Sequence, residues 1–397
     1  MKGLEVPSDL SLSMAPVESK RSLLLVTNDL GPHAGGIETF ILGLIDEIEG
    51  RQLVIFTSSE SGSADFDSAL ERKTGAIVIR DRSKVLLPTP RVTHAVKKII
   101  NQYGSEIIWF GAAAPLALMA GAIRTRNIKK IVALTHGHEV WWAKIFPFNL
   151  ALRKIGNGCD VITYLGDFTR DSIKKSLGKR PELIQLAPGI STTHFQPGAK
   201  SESLLKSYGI ENVPTIVSVG RLVRRKGQDR LIEALYEVKK SYPEVKLLII
   251  GEGKYKKHLQ KSVQKFDLDK NVIFIGRVSY ENLPEYIRLG DIFAMPSRSR
   301  LGGLEVEGLG IVYLEAGACG LPVLAGDSGG APDAVKVGET GYVVSGKSKE
   351  EIAQTLIQAL SNSENLKRLG RNGRQWAEDY WSWKVWGERF REILRFD

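Results

Sequence analysis

The chain has 397 residues, 43% hydrophobic and 25% charged, the composition of a folded α/β protein of two or three domains. No run approaches the ~20 consecutive apolar residues that a membrane span requires, and the polar start, residues 1–20, reads as a flexible leader, not a secretion signal. The net charge of +10 favours an anionic partner, but the basic residues are scattered and no nucleic-acid-binding signature is present.

Short β-branched runs at residues 23–27, 53–56, 107–110, 131–134 and 161–164 predict buried parallel strands. Amphipathic helices are expected between them, over residues 37–48 and 92–103. This alternation predicts a doubly wound, Rossmann-like sheet within residues 21–195. Residues 187–198 carry turn formers without a period and read as an interdomain hinge. A second series at 215–219, 246–250, 272–275, 292–295, 323–325 and 342–344 predicts a second Rossmann-like half, residues 199–375. Trp376, Trp381, Trp383 and Trp386 recur at partly helical spacing and read as packing anchors. Cys159 and Cys319 lie in apolar surroundings, too few for a disulfide framework, which fits a reducing cytosol.

Ligands bind such sheets at the C-terminal strand ends, so the residues there are the candidates. The loop from Asn28 to Gly36 follows the first strand, and Gly35 and Gly36 would let its backbone approach a ligand. It lacks the third glycine of a dinucleotide fingerprint. His136 ends the fifth strand in a His136-Gly137-His138-Glu139 run whose spacing argues against zinc. Arg221 and Lys226 follow the strand at 215–219, and Arg224 and Arg225 between them read as either ligand contacts or solvated charges. Gly276-Arg277-Val278 ends another strand, and Arg298 to Gly303 reads as a basic, flexible loop. Glu307 and Glu315 then flank Gly308 and Gly310, where a helix is expected to begin. A carboxylate at a helix mouth, free N–H groups behind it and a second carboxylate further along suit a sugar, a diphosphate and a ribose.

Glu307-x7-Glu315, continued by Ala316 to Val323, resembles the signature of the retaining nucleotide-sugar glycosyltransferases of family four, which have the GT-B fold. Gly35-Gly36, the His136 run, Gly220-Arg221-Leu222 with Lys226-Gly227, and Gly329-Gly330-Ala331-Pro332 extend the resemblance over nearly the whole chain. Leu87 to Pro90, Trp109 to Gly121 and Glu305 to Tyr313 are similar to the PimB-type phosphatidylinositol mannoside mannosyltransferases. That resemblance implies two Rossmann-like domains facing across a cleft, with a last helix, within 376–397, crossing back onto the N-terminal domain. It implies a donor, GDP-mannose, on the C-terminal domain and a phosphoinositide glycolipid acceptor on the N-terminal one.

The implied roles are specific. Glu307 would hold the 3- and 4-hydroxyls of the sugar, and His136 would lie near its 6-hydroxyl and reacting carbon. Glu315 would accept from the ribose hydroxyls. Arg277 and Val278 would meet the guanine. Gly35 and Gly36 would close over the donor phosphate, with Asp29 near an acceptor hydroxyl. Arg221 and Lys226, with helix-start N–H groups near Gly310, Ile311 and Val312, would neutralise the leaving diphosphate. No Asp-x-Asp metal motif stands at a strand end, so no metal or other cofactor is expected. No covalent nucleophile is evident, which fits front-face transfer with retention. Where related sequences often carry Glu after Gly-Gly-x-Pro, this chain has Asp333.

A lipid acceptor requires contact with a bilayer. Residues 140–148 join tryptophans and phenylalanines to a lysine, followed by Arg153 and Lys154, and residues 92–103 carry Lys97 and Lys98. Either stretch could touch an anionic surface or be an ordinary helix. The expected location is the inner face of the cell membrane, peripherally attached. Two other readings stay open: a family-four enzyme with a UDP-sugar donor or soluble acceptor, and a non-catalytic nucleotide-sugar sensor.

Overall fold

The computed structural model describes residues 22–32, 35–48 and 50–395, so the expected leader lies outside the described residues, as do His33 and Ala34 of the first loop. The first sheet has seven parallel strands: β1 (Ser22–Thr27), β2 (Gln52–Thr57), β3 (Ile77–Arg80), β4 (Ser105–Phe110), β5 (Lys130–Leu134), β6 (Val161–Tyr164) and β7 (Glu182–Gln185). The second has six: β8 (Thr215–Val219), β9 (Lys246–Ile250), β10 (Val272–Gly276), β11 (Ile292–Met295), β12 (Val323–Gly326) and β13 (Gly341–Val344). Their orders are β3-β2-β1-β4-β5-β6-β7 and β10-β9-β8-β11-β12-β13. Each order reverses once, beside β1/β4 and beside β8/β11, and a doubly wound sheet opens its binding crevice at such a reversal.

The central strands are buried on both faces because helices cover both sides; every residue of β1 and of β8 is buried. The edge strands β3 and β7 are different. They are four residues long and mostly half-buried: β7 has only Leu183 and Ile184 apolar, between Glu182 and Gln185, whereas β3 carries the short run Ile77-Val78-Ile79, a strand that the runs above do not include.

The last helix, Trp383–Ile393, crosses back onto the first sheet. Phe390 meets the ring of Trp109 from β4 at 4.9 Å, and Arg391 pairs with Glu47. Trp381 and Trp386 are buried, consistent with packing anchors. The stretch 187–198 contains no helix or strand, but it is tethered: Ile190 donates to the Trp381 carbonyl at 2.6 Å and accepts from Trp383 at 3.3 Å, and Arg374 donates to the Thr192 and Phe195 carbonyls at 2.9 and 2.8 Å. The crossing helix and the connecting segment are thus joined by backbone hydrogen bonds.

Candidate active site

The C-terminal half of the site grows from β8 and β11. Past β8, Arg221 is exposed, and a tight turn, Arg224–Lys226, leads into the helix Gln228–Ser241. Lys226 is buried and its Nζ lies 2.9 Å from Glu307 Oε2; Arg225 Nη1 donates to the same oxygen. Glu307 is itself only 7% exposed. Burial alone would push its carboxyl up, but Lys226 and Arg225 overcome that and hold it below the usual carboxylate range. Burial conversely lowers Lys226 from the usual lysine value, with Arg225 and Arg221 adding repulsion and Glu307 opposing the fall.

The segment bearing Glu307 is fixed by its own backbone. The Glu307 N–H donates to Ser328 Oγ at 3.1 Å, and the Glu307 carbonyl accepts from Gly330 N–H at 2.9 Å. A Cβ at Gly329 or Gly330 would overlap the carbonyl of Glu307 or of Gly308, so the Gly-Gly pair is the bed on which this loop lies. Gly310, at φ 81°, then turns the chain into the helix Ile311–Ala318. Tyr313 locks that helix to the end of β11, its hydroxyl lying 2.7 Å from the Met295 carbonyl and 3.0 Å from Ser297 Oγ. Backbone N–H groups at such a start, those of Ile311 and Val312 among them, have no partner within the helix and suit an anion.

Glu315 is buried on this helix, and burial pushes its carboxyl up to about 7, with Lys226 only partly opposing. The folded value lies above the ordinary 4.5, so folding favours the protonated form. Stability from this group is complete below pH 4.5 and is lost as pH rises through about 7. Glu315→Gln should therefore match the parent at pH 4 and exceed it at pH 8 by up to about 3 kcal/mol. Urea unfolding at the two pH values measures this; an equal difference at both would contradict it.

The N-terminal half grows from β1, β4 and β5. His136 Nε2 is 2.6 Å from the Gly111 carbonyl, which can only accept, so the ring proton sits on Nε2 and Nδ1 of the neutral ring is an acceptor. Burial holds the ring below the usual histidine value, the nearby Glu139 opposing. The His136 N–H donates to Glu139 Oε2 at 3.0 Å, so the buried Glu139 acts as a brace for the loop. Asp29 is half-buried past β1; burial, helped by Glu38, pushes its carboxyl up to about 6. Gly35 and Gly36 stand at the start of the helix Gly36–Asp46.

The halves touch. A Cβ on Gly308 would sit 3.2 Å from the His136 carbonyl, and one on Gly137 would sit 3.1 Å from Gly308 Cα. His136 and Glu307 are thus brought to neighbouring positions across the cleft. Lys144 Nζ also donates to the Gly303 carbonyl at 3.0 Å, and Asp333 Oδ2 accepts from the Phe168 N–H at 3.1 Å. The carboxylate of Asp333 therefore crosses between the halves to the first turn of the helix Asp167–Leu177. Arg277 is exposed and Val278 half-buried just past β10.

Two sequence expectations change. Arg225, which the sequence left open as a solvated charge, is an ion-pair partner of Glu307. Arg298 is not part of a free basic loop: it is buried and makes a two-pronged pair with Asp229, at 2.8 and 2.7 Å, because the chain from β11 folds back over the helix start that carries Asp229. Arg300 is likewise paired, with Glu305 at 2.7 Å.

Two facing Rossmann-like sheets, with carboxylates and cations gathered at their opposed strand ends and a crossing last helix, define a glycosyltransferase of the GT-B class. The solved structures agree on the fold: HepE from Anabaena superposes with a TM-score of 0.77 at 18% identity, covering 94% of this chain and 99% of that one. The sucrose-phosphate synthase of Thermosynechococcus elongatus gives 0.76 at 20% identity, over 95% and 98%. The profile for Glycosyltransferase Family 4 matches residues 34–193, and that for Glycosyl transferases group 1 matches residues 200–376. A GDP-mannose-dependent alpha-(1-6)-phosphatidylinositol monomannoside mannosyltransferase from Mycolicibacterium smegmatis is 40% identical over 94% of this chain and 98% of its own length. The corresponding monoacylated-acceptor enzyme of Corynebacterium glutamicum is 40% identical over 96% and 99%. This chain belongs to glycosyltransferase family 4, and within it to the group of the phosphatidylinositol monomannoside mannosyltransferases.

Proposed function

We propose that the chain transfers mannose from GDP-mannose to a phosphatidylinositol monomannoside, with retention of configuration, forming the dimannoside. The observation that carries this is the near full-length 40% identity to enzymes of that name. The Glu307–Lys226–Arg225 cluster at the cleft supports it.

In this reading each group has a task. The GDP diphosphate lies over the start of the helix Ile311–Ala318, between Arg221 and Lys226. Lys226 then exchanges its contact with Glu307 for the diphosphate, where negative charge grows as the glycosidic C–O bond breaks. Arg225 stays with Glu307 and keeps it ionised. Glu307 accepts from the mannose hydroxyls and favours the positive charge developing on the ring. Glu315 takes the ribose, and the backbone around Arg277 and Val278 takes the guanine. From the facing half, His136 orients the sugar, and the loop at Gly35 and Gly36 closes over the phosphate. The acceptor hydroxyl approaches beside Asp29, on the face the phosphate leaves, and the departing phosphate can take its proton. The counter-charge comes from side chains, so turnover is expected to persist in excess EDTA.

A panel of GDP-mannose, UDP-glucose and UDP-N-acetylglucosamine, each with the lipid acceptor, tests the donor. Turnover with GDP-mannose alone is expected; preference for a UDP-sugar would overturn the reading. Slow donor hydrolysis without acceptor separates an enzyme from a sensor.

We also propose attachment to the inner membrane face through the N-terminal domain. Phe146 is 75% exposed and Leu150 58%, with Lys144 and Lys154 exposed beside them. Such a pairing of apolar tips and cations suits an anionic bilayer surface. Phe146→Ser with Leu150→Ser should reduce pelleting with phosphatidylglycerol vesicles at low salt by roughly tenfold or more, from lost apolar burial. Unchanged pelleting would place the contact elsewhere.

A further inference from the structure

A second basic pocket lies on the other side of the Arg224–Lys226 turn from Glu307. Its volume is about 640 Å³, and it opens at the C-terminal ends of β8, β11 and β13. Five cations line it, Arg224, Arg230, Arg298, Arg300 and Lys347, against two carboxylates, Asp229 and Glu233. Both carboxylates are already committed. Asp229 receives both prongs of Arg298 and the Tyr255 hydroxyl at 3.1 Å, and Glu233 is paired with Arg230. Arg300 is engaged with Glu305. Among the described residues neither Arg224 nor Lys347 has an ion-pair partner, although they come from separate loops and face one cavity. Two cations brought to one concavity by loops far apart in sequence repel each other unless an anion joins them. The stacked rings of Tyr255 and His258, 4.5 Å apart, add a flat wall, and Ser299 adds a hydroxyl.

We propose that this pocket binds a small phosphomonoester or phosphodiester, separately from the donor, with Arg224 and Lys347 holding the phosphate and the Arg298–Asp229 pair forming its rigid floor. The volume suits a phosphate carrying a polyol, larger than a bare ion. The ligand can be a soluble phosphorylated polyol or the headgroup of an anionic lipid, which share this chemistry. The pocket is joined to the donor half by a backbone bond, Arg298 N–H to the Arg225 carbonyl at 2.8 Å, but Arg225 and Lys226 face Glu307 while Arg224 faces the pocket.

The test is calorimetric titration of the full chain with glycerol 3-phosphate in saturating GDP, for the parent and for Arg224→Ala with Lys347→Ala. One equivalent should bind to the parent. The double variant should lose about tenfold or more in affinity, as expected for two charge-assisted contacts, with unchanged affinity for GDP. Pelleting with phosphatidylglycerol vesicles then assigns the source: a loss in the double variant points to a headgroup, and unchanged pelleting with lost glycerol 3-phosphate binding points to a soluble ligand. Displacement of glycerol 3-phosphate by GDP, equal binding to the variant, or no binding of either probe would overturn the proposal. GDP affinity is read separately, so a failed donor site is distinguished from a failed phosphate pocket.

Discussion

Glu307→Gln is expected to lower kcat/KM by about a thousandfold while the protein stays folded. Glutamine preserves the volume and still offers a carbonyl to Arg225 and Lys226. The charge is what disappears, and with it the acceptor that orients the sugar and the field that favours a cationic ring. Both changes leave two cations, Lys226 and the partly buried Arg225, without a counter-ion, and Glu307→Ala is harsher because it also removes the hydrogen-bond acceptor and leaves a void. Uncompensated buried charge costs about 3–5 kcal/mol, so both variants need a thermal-melt control, and the glutamine, which keeps a carbonyl for the two cations and leaves no void, is the milder of the two. Retention of activity within tenfold in Glu307→Gln would remove Glu307 from the reaction.

Lys226→Ala is the second large effect, about a thousandfold in kcat, because one preorganised charge at the leaving diphosphate is withdrawn. Here the fold should survive better. Glu307 keeps Arg225 as a partner, and a lysine whose ammonium is disfavoured by burial is no longer held in place. GDP should still bind, since Glu315, the helix start and Arg221 remain. Steady-state kinetics with calorimetry of GDP separate the two readouts: kcat should collapse while GDP affinity falls modestly. A variant with normal kcat would mean that another group carries the diphosphate charge.

Much of this site is legible in the sequence. Strands β8, β9 and β11 fall where the apolar runs put them, because central parallel strands must be apolar throughout. Glu307 and Glu315 announce themselves through the glycines between them, since carboxylates beside a glycine-turned helix start have few structural uses. What escaped depends on tertiary contacts. Strand β7 is short, lies at a sheet edge and has two polar ends, so no period distinguishes it, and the run Ile77-Val78-Ile79 of the edge strand β3 is too short for periodicity alone to mark as a strand. The Arg224–Lys226 turn divides its side chains: Arg224 lines the second pocket while Arg225 and Lys226 both reach Glu307, and three adjacent cations give no hint of that division. Arg298 looked like a loop charge because its partner, Asp229, is 69 positions away. Asp333 looked like a shortened glutamate, and only the facing helix shows what its carboxylate reaches.

The most direct measurement is transfer itself: purified enzyme, GDP-mannose and phosphatidylinositol monomannoside in anionic vesicles, with GDP release followed and the product analysed by mass and anomeric NMR. Acceptor-dependent GDP release and a lipid carrying one additional α-mannose are the predicted result. GDP release that ignores the acceptor, a β-linked product, or no consumption of GDP-mannose would contradict the account.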